Sequence, residues 1–179
     1  MDWIEIINFW FRDIDPKQWW RKEPIFDAFL CETFGDLHQR ACQCELFRWR
    51  ASPLGRLAEI IVLDQFSRNM YRGTKRAFVA DPLALALAQE AIALNLDEQL
   101  SQLERSMLYM PFMHSESLAI HEIAVDLFRK NGIASNYEYE LKHKAVIEQF
   151  GRYPHRNIIL GRQSSPQELE FLKQPGSRF

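Results

Sequence analysis

Long apolar runs, paired cysteines and an excess of charge are missing from this sequence, and each absence removes a class of protein. No apolar stretch approaches the length that spans a bilayer. The N-terminus reads Met1-Asp2-Trp3-Ile4-Glu5, without the positive start and apolar continuation of a secretory leader. Only 3 cysteines occur, Cys31, Cys42 and Cys44, an odd set that builds no disulfide framework. Cys42 and Cys44 stand two apart in a predicted helix, so their side chains point to nearly opposite sides. They read as reduced, mostly structural thiols. The formal net charge of -2 excludes a protein built mainly to coat nucleic acid or an anionic membrane. The expectation is a cytoplasmic protein with neither a nucleic acid nor a membrane as partner.

What is present suits one folded domain over residues 1–179. Hydrophobic residues make up 47% and charged residues 26%, an ordinary globular balance. The 13 Phe, 5 Tyr and 5 Trp supply either a bulky core or an aromatic ligand cage, and the core is the simpler reading.

Helix punctuation is dense. Trp3, Ile4, Ile7, Trp10 and Phe11 recur at helical spacing over 2–12, and Pro16 follows the end. Pro24 opens a long helix over about 24–44, striped by Phe26, Phe29, Leu30, Phe34, Leu37 and Ala41. Ser52-Pro53 opens the next, to about residue 67. Its segment Leu57-Ala58-Glu59-Ile60-Ile61-Val62-Leu63 is apolar on nearly every face, which places this helix at the domain centre. Asp81-Pro82 starts a helix over 82–95. Ser101 with Glu104 caps one over 102–110, which Pro111 ends or kinks. A helix over 115–130 stops at Asn131-Gly132. Ser135 with Glu138 reads as a second capping box, for a helix ending at Gly151. A short turn at 155–160 ends at Gly161, and Ser165-Pro166-Gln167-Glu168 caps the last helix. No segment alternates strictly as a half-buried strand does. The fold class is all-α, with short gaps that pack successive helices as antiparallel neighbours.

The chemistry concentrates in three places. Leu57, Ile61, Asp64 and Arg68 share one helical stripe, so Asp64 emerges from a buried face with Arg68 one turn later. A buried carboxylate needs a partner. The pair is either an internal salt bridge positioning the next loop or a preorganised pocket floor. Residues 68–76 carry Arg68, Arg72, Lys75 and Arg76 and no acid, and 151–162 add Arg152, His155, Arg156 and Arg162. The two stretches echo each other as Arg68-Asn69-x-x-x-Gly73 and Arg156-Asn157-x-x-x-Gly161. If they meet, their guanidinium groups form a fork suited to phosphate or carboxylate; if not, they are solvated surface charge. The third cluster is His114-Ser115-Glu116, a potential acid–base pair. His121 lies on the same apolar stripe and reads as a core histidine.

Several mechanisms fail on spacing. His121-Glu122-Ile123-Ala124-Val125 has valine where a zinc-protease helix needs its second histidine. His114-Ser115-Glu116 lacks the deaminase cysteine pair, since Cys42 and Cys44 lie upstream and too close together. Glu140-Leu141-Lys142-His143 is a single Glu-x-x-His, where di-iron bundles use two. No Gly-rich phosphate loop, nucleophile elbow or dinucleotide fingerprint occurs. No metal or cofactor is expected.

The segments Leu63-Asp64-Gln65-Phe66-Ser67-Arg68-Asn69-Met70-Tyr71-Arg72-Gly73, Pro111-Phe112-Met113-His114-Ser115-Glu116 and Phe150-Gly151-Arg152-Tyr153-Pro154-His155-Arg156-Asn157 together resemble the bacterial domain-of-unknown-function family 924. The opening Asn8-Phe9-Trp10-Phe11 with Trp19-Trp20, and the closing Pro175-Gly176-Ser177-Arg178-Phe179, are similar as well. The resemblance implies antiparallel helix pairs in a tetratricopeptide-like right-handed superhelix of about eight to nine helices. It implies no particular reaction. The family pattern has a polar, non-histidine residue where His121 stands, which argues against a role for it. The matching motif positions are Asp64, Arg68, Asn69, His114, Glu116, Arg152, His155, Arg156 and Asn157, the residues that physical reasoning also selects.

The leading expectation is therefore a binding module that grips an anionic small molecule or peptide in a concave groove lined by those nine residues. The rivals are a hydrolase-type enzyme with His114 or His155 as acid–base, and a protein–protein scaffold whose polar motifs only brace helix ends.

Overall fold

Pro24 begins the longest helix, at the position where its fixed φ and missing N–H cost nothing. The computed structural model describes residues 1–177. Arg178 and Phe179, the end of the closing segment quoted above, lie outside the described residues. Among the described residues there is no strand, and the all-α architecture is what the chain adopts.

Helix α1 (Trp3–Asn8) runs on through a π turn, Phe9–Asp13, to a short turn at Pro16–Trp20, and α2 spans Pro24–Cys42. The central helix α3 (Pro53–Ile61) continues through a second π turn, Val62–Phe66, into α4 (Ser67–Met70). Then come α5 (Arg76–Val79), α6 (Asp81–Ala93), α7 (Gln102–Met113), α8 (Leu118–Asn131) and α9 (Ala134–Phe150). The chain closes with α10 (Asn157–Leu160) and α11 (Pro166–Phe171). From α6 to α9 each helix packs on the next, whereas α1 skips its neighbour to pack on α3.

The hydrophobic segment forms the centre, as its all-round apolar character requires. Leu57, Ile60, Ile61, Val62 and Leu63 are wholly buried, and α3 touches α1, α6 and α7. Each such side chain contributes about 1.5–3 kcal/mol. The aromatic residues build core rather than a cage. The Phe9, Phe34 and Phe66 rings cluster, with Phe34 and Phe66 centroids 5.0 Å apart. Trp19 stacks on Trp10 and donates from Nε1 to its carbonyl at 3.0 Å. Gly55 allows the turn at Phe47–Ala51 to lie against α3, because a Cβ there would sit 2.1 Å from the Trp49 carbonyl oxygen.

Local punctuation differs from the sequence expectation at several points. Pro111 does not end α7, which runs two residues further inside a buried last turn, with the His114 N–H donating to the Met110 carbonyl at 3.0 Å. Ser52 and Ser135 make no capping bond. After Gly132 turns left-handed (φ 80) the chain re-enters helix already at Ala134, so Ser135 falls inside the first turn and its hydroxyl goes to Asn136. The boxes of Ser101 with Glu104 and Ser165 with Glu168 form as expected. Asp81 is the first residue inside α6, and a short helix, α5, precedes it. The three cysteines are free and exposed, so they are not core residues.

Candidate functional site

The site begins with a change of helical pitch. At Val62–Phe66 the central helix widens into a π turn, a feature that often marks functional positions, and Asp64 stands in it. Its carboxylate is 1% exposed and takes three donors. Gln65 Nε2 lies 2.6 Å from Oδ2, while His114 Nδ1 and Arg68 Nη1 lie 2.8 and 3.1 Å from Oδ1. Arg68 Nη1 also donates to the Asp64 carbonyl at 3.1 Å. Burial alone would push this carboxyl up, but the charge of Arg68 and the bonds from His114 and Gln65 hold it down at about 2.

Arg68 and Arg156 converge on one acid. Arg68 grips Asp81 with both nitrogens, at 2.8 and 3.0 Å, and Arg156 Nη1 approaches the same carboxylate at 3.5 Å. Arg156 Nη2 donates to the His114 carbonyl at 3.0 Å, and its guanidinium lies 4.5 Å from the Tyr153 ring centroid and 4.7 Å from that of Phe78. Burial, then the neighbouring Arg68 charge, pulls the Arg156 pKa down. For Arg68 burial pulls the same way, yet Asp64 and Asp81 outweigh it and push the pKa up.

The ionised Asp64 fixes the tautomer of His114. A carboxylate can only accept, so Nδ1 carries the proton and the neutral ring keeps its lone pair on Nε2. Nε2 has no hydrogen-bond partner among the described residues, and the side chain is 15% exposed. Burial and Arg68 hold the His114 pKa below the ordinary histidine value, against the opposing pull of Asp64. The arrangement supplies a hydrogen-bonded base beside two fixed cations, which suits proton exchange with an anionic ligand.

Glu116 serves a neighbouring clasp rather than an acid–base pair with His114. It accepts from Arg162 Nη1 and Nη2 at 3.0 and 2.7 Å and from the Tyr153 N–H at 2.8 Å. Burial would raise its pKa, but Arg162 and that N–H hold it below the usual carboxylate range. Tyr153 donates its hydroxyl to the Met113 carbonyl at 2.6 Å and so pins the 151–156 segment to the end of α7. Behind it, His121 is fully buried, with Nδ1 2.7 Å from Glu140 and Nε2 facing the Ser115 carbonyl at 2.9 Å. His121 is thus a core histidine.

Of the remaining sequence candidates, Arg152, Asn157 and Asn69 lie in other networks. Arg152 and Asn157 both bond Glu168, Arg152 through two nitrogens at 2.7 and 2.9 Å and Asn157 Nδ2 at 3.1 Å. Those bonds, against the opposing effect of burial, help hold Glu168 at about 2. Asn69 accepts from Arg72, which in turn clamps Asp27 at 2.7 and 2.8 Å. His155 packs against the Tyr153 ring, and burial, then Arg156, brings its pKa down to about 3. The structure therefore brings Asp64, Arg68, His114 and Arg156 together, sets Glu116 in the adjoining clasp and His155 against the Tyr153 ring beside it, and places Asn69, Arg152 and Asn157 elsewhere.

Three pairings escape sequence reasoning: Asp81 with Arg68 and Arg156, Arg162 with Glu116, and Glu140 with His121. The Asp81-Pro82 pair signals a helix start and so hides the counter-ion. Glu140 stands out only as the start of a lone Glu-x-x-His in a helix of weak apolar periodicity, which does not mark it as the partner of His121. Among the described residues no group of three His, Cys, Asp or Glu side chains could hold a metal, and no helix is long and apolar enough to cross a membrane.

An all-helical protein, without a strand among the described residues and with its polar cluster built largely at helix ends, is the class these features define. A family model described as a bacterial protein of unknown function, DUF924, matches residues 6–176, and the chain belongs to that family. It is similar to the solved structure of a protein of unknown function from Agrobacterium tumefaciens, with a TM-score of 0.90 at 36% sequence identity over 96% of each chain. No curated protein matches the sequence.

Proposed function

We propose that this protein is a binding module that takes a small molecule or peptide by an anionic group, a carboxylate or a phosphate, at the cluster of Asp64, Arg68, His114 and Arg156. The observation that carries this reading is the His114 ring. Asp64 orients it through Nδ1, Nε2 is without a partner among the described residues, and two guanidinium groups bond Asp64 and the His114 carbonyl beside it. With His114 neutral, Arg68 and Arg156 are balanced by Asp64 and Asp81. An arriving anion is accommodated by a proton on Nε2, so binding and protonation of His114 are linked. On this reading the tetratricopeptide-like packing implied by the family resemblance frames the site, and the work is done in the cytoplasm, where free thiols such as Cys31 stay reduced.

The test is equilibrium binding of phosphorylated metabolites and peptide carboxylates, screened by thermal shift. Arg68→Gln and Arg156→Gln should each remove the response. If folded forms of both variants keep every ligand shift of the parent, the reading is wrong.

The same dyad favours a second reading, a hydrolase-type enzyme in which Nε2 acts as general base on water and the arginines hold an oxyanion. Turnover would then follow a pH profile that His114→Gln abolishes.

A further inference from the structure

We propose that a cavity between the 95–100 loop, the start of α7 and the end of α8 is a second binding site, specific for a small aliphatic ammonium compound. The cavity has a volume of about 320 Å³ and is separate from the His114 cluster. Ile92 and Leu127 supply its apolar wall, and Asp97, Glu98 and Asn131 supply acceptors.

Two of those acceptors are built into the fold. Asp97 is 8% exposed, and Tyr109 donates to its Oδ2 at 2.6 Å, which fixes the carboxylate in place. Asn131 is 4% exposed, and its Nδ2 donates to the Gln102 carbonyl at 3.0 Å. A carbonyl can only accept, so that bond fixes which way the amide faces. Its Oδ1 is then a buried acceptor with no donor among the described residues. Asn131 is also the last residue of α8, where helix carbonyls gather negative potential.

The cations in the wall do not answer this demand. Arg105 donates from Nε and Nη2 to the Asp97 and Leu100 carbonyls, at 3.1 and 3.2 Å, and Lys130, like Glu98, is solvent-exposed, which leaves Asp97 as the buried charge of the wall. The cavity asks for a group carrying several N–H donors and a positive charge, attached to an aliphatic body that covers Ile92 and Leu127. An ammonium group meets each condition, whereas a carboxylate or phosphate would face the buried, Tyr109-bonded carboxylate of Asp97. Water alone leaves the apolar wall unmatched, and one water occupies only about 30 Å³.

The experiment is calorimetric titration of the full chain with n-butylammonium chloride, with n-butanol as the neutral probe of similar shape. Saturable binding of one butylammonium per chain is expected, with no comparable heat from n-butanol. Asp97→Asn keeps an acceptor for Tyr109 but removes the charge, and should weaken binding about tenfold or more. Leu127→Trp fills the space and should abolish it. If Asp97→Asn does not fold, Glu98→Gln replaces it with the same expected direction. No saturation, equal binding of n-butanol, or unchanged affinity in folded Leu127→Trp would each overturn the assignment.

Discussion

Arg68 and Arg156, the first residues of the two Arg-Asn-x-x-x-Gly echoes, meet on a single carboxylate, that of Asp81. The echo in sequence thus corresponds to a convergence in space for its arginines. Its asparagines diverge, Asn69 to Arg72 and Asn157 to Glu168.

Removing the shared acid should be expensive. Asp81→Ala leaves two guanidinium groups crowded together without their common counter-ion, one of them on a side chain only 7% exposed. Stability should fall by about 3 kcal/mol, the low end for breaking a buried pair, because Arg68 and Asp81 keep some contact with solvent. Denaturant unfolding of the variant measures this directly. A loss within the range of an ordinary surface substitution would show that Asp81 does not balance the arginines.

The pH dependence of stability has a definite sign. Burial first, with nearby charge second, lowers the pKa of His155 from 6.5 to about 3. Burial likewise lowers His143 to about 3 and His38 to about 4. The unfolded chain binds these protons more readily, so the folded state is favoured above about pH 6.5 and loses that advantage as pH falls toward 3. Asp64, ordinarily near 3.8 and held at about 2, extends the loss below pH 4. Urea midpoints should decline steadily from pH 7 to pH 4. Replacing His155 by Gln should flatten that decline.

Capping gives a paired comparison. Ser101→Ala removes a formed box and should cost about 1 kcal/mol. Ser135→Ala should cost almost nothing, since Ser135 lies inside α9 and caps nothing. Thermal unfolding of the two variants separates a capping serine from one that merely reads as such.

Gly55→Ala should destabilise by about 1–3 kcal/mol through overpacking, because the new methyl would press on backbone rather than on a mobile side chain. A neutral result in chemical denaturation would mean that the 47–51 turn moves away from α3 at no cost.

The helices were legible because their signals are local. Proline at 24, 53 and 166, glycine at 132, 151 and 161, and serine at 101 and 165 act on residues within one turn. The central helix was equally plain, since its apolar residues cover every face. The pairing of Asp64 with Arg68 was visible for the same reason: they are one turn apart, and their stripe continues that of Leu57 and Ile61. The rest is long-range. Nothing adjacent to Asp81 indicates that Arg68 and Arg156 will close on it, and Glu116 sits beside His114 in sequence yet bonds Arg162. Where two local signals competed, as at Ser135 after Gly132, the left-handed glycine decided where the helix restarts. A proline inside a packed last turn, Pro111, was outweighed by burial of Phe112 and Met113.

The claim that most depends on the geometry is that His114 receives a proton when an anion binds beside it. Its ring resonances, followed by nuclear magnetic resonance as a function of pH with and without saturating inorganic phosphate, report this directly. The His114 midpoint should start below 6.5 and move upward with phosphate, and Arg68→Gln should cancel the movement. An identical titration curve in the presence and absence of phosphate would contradict the account.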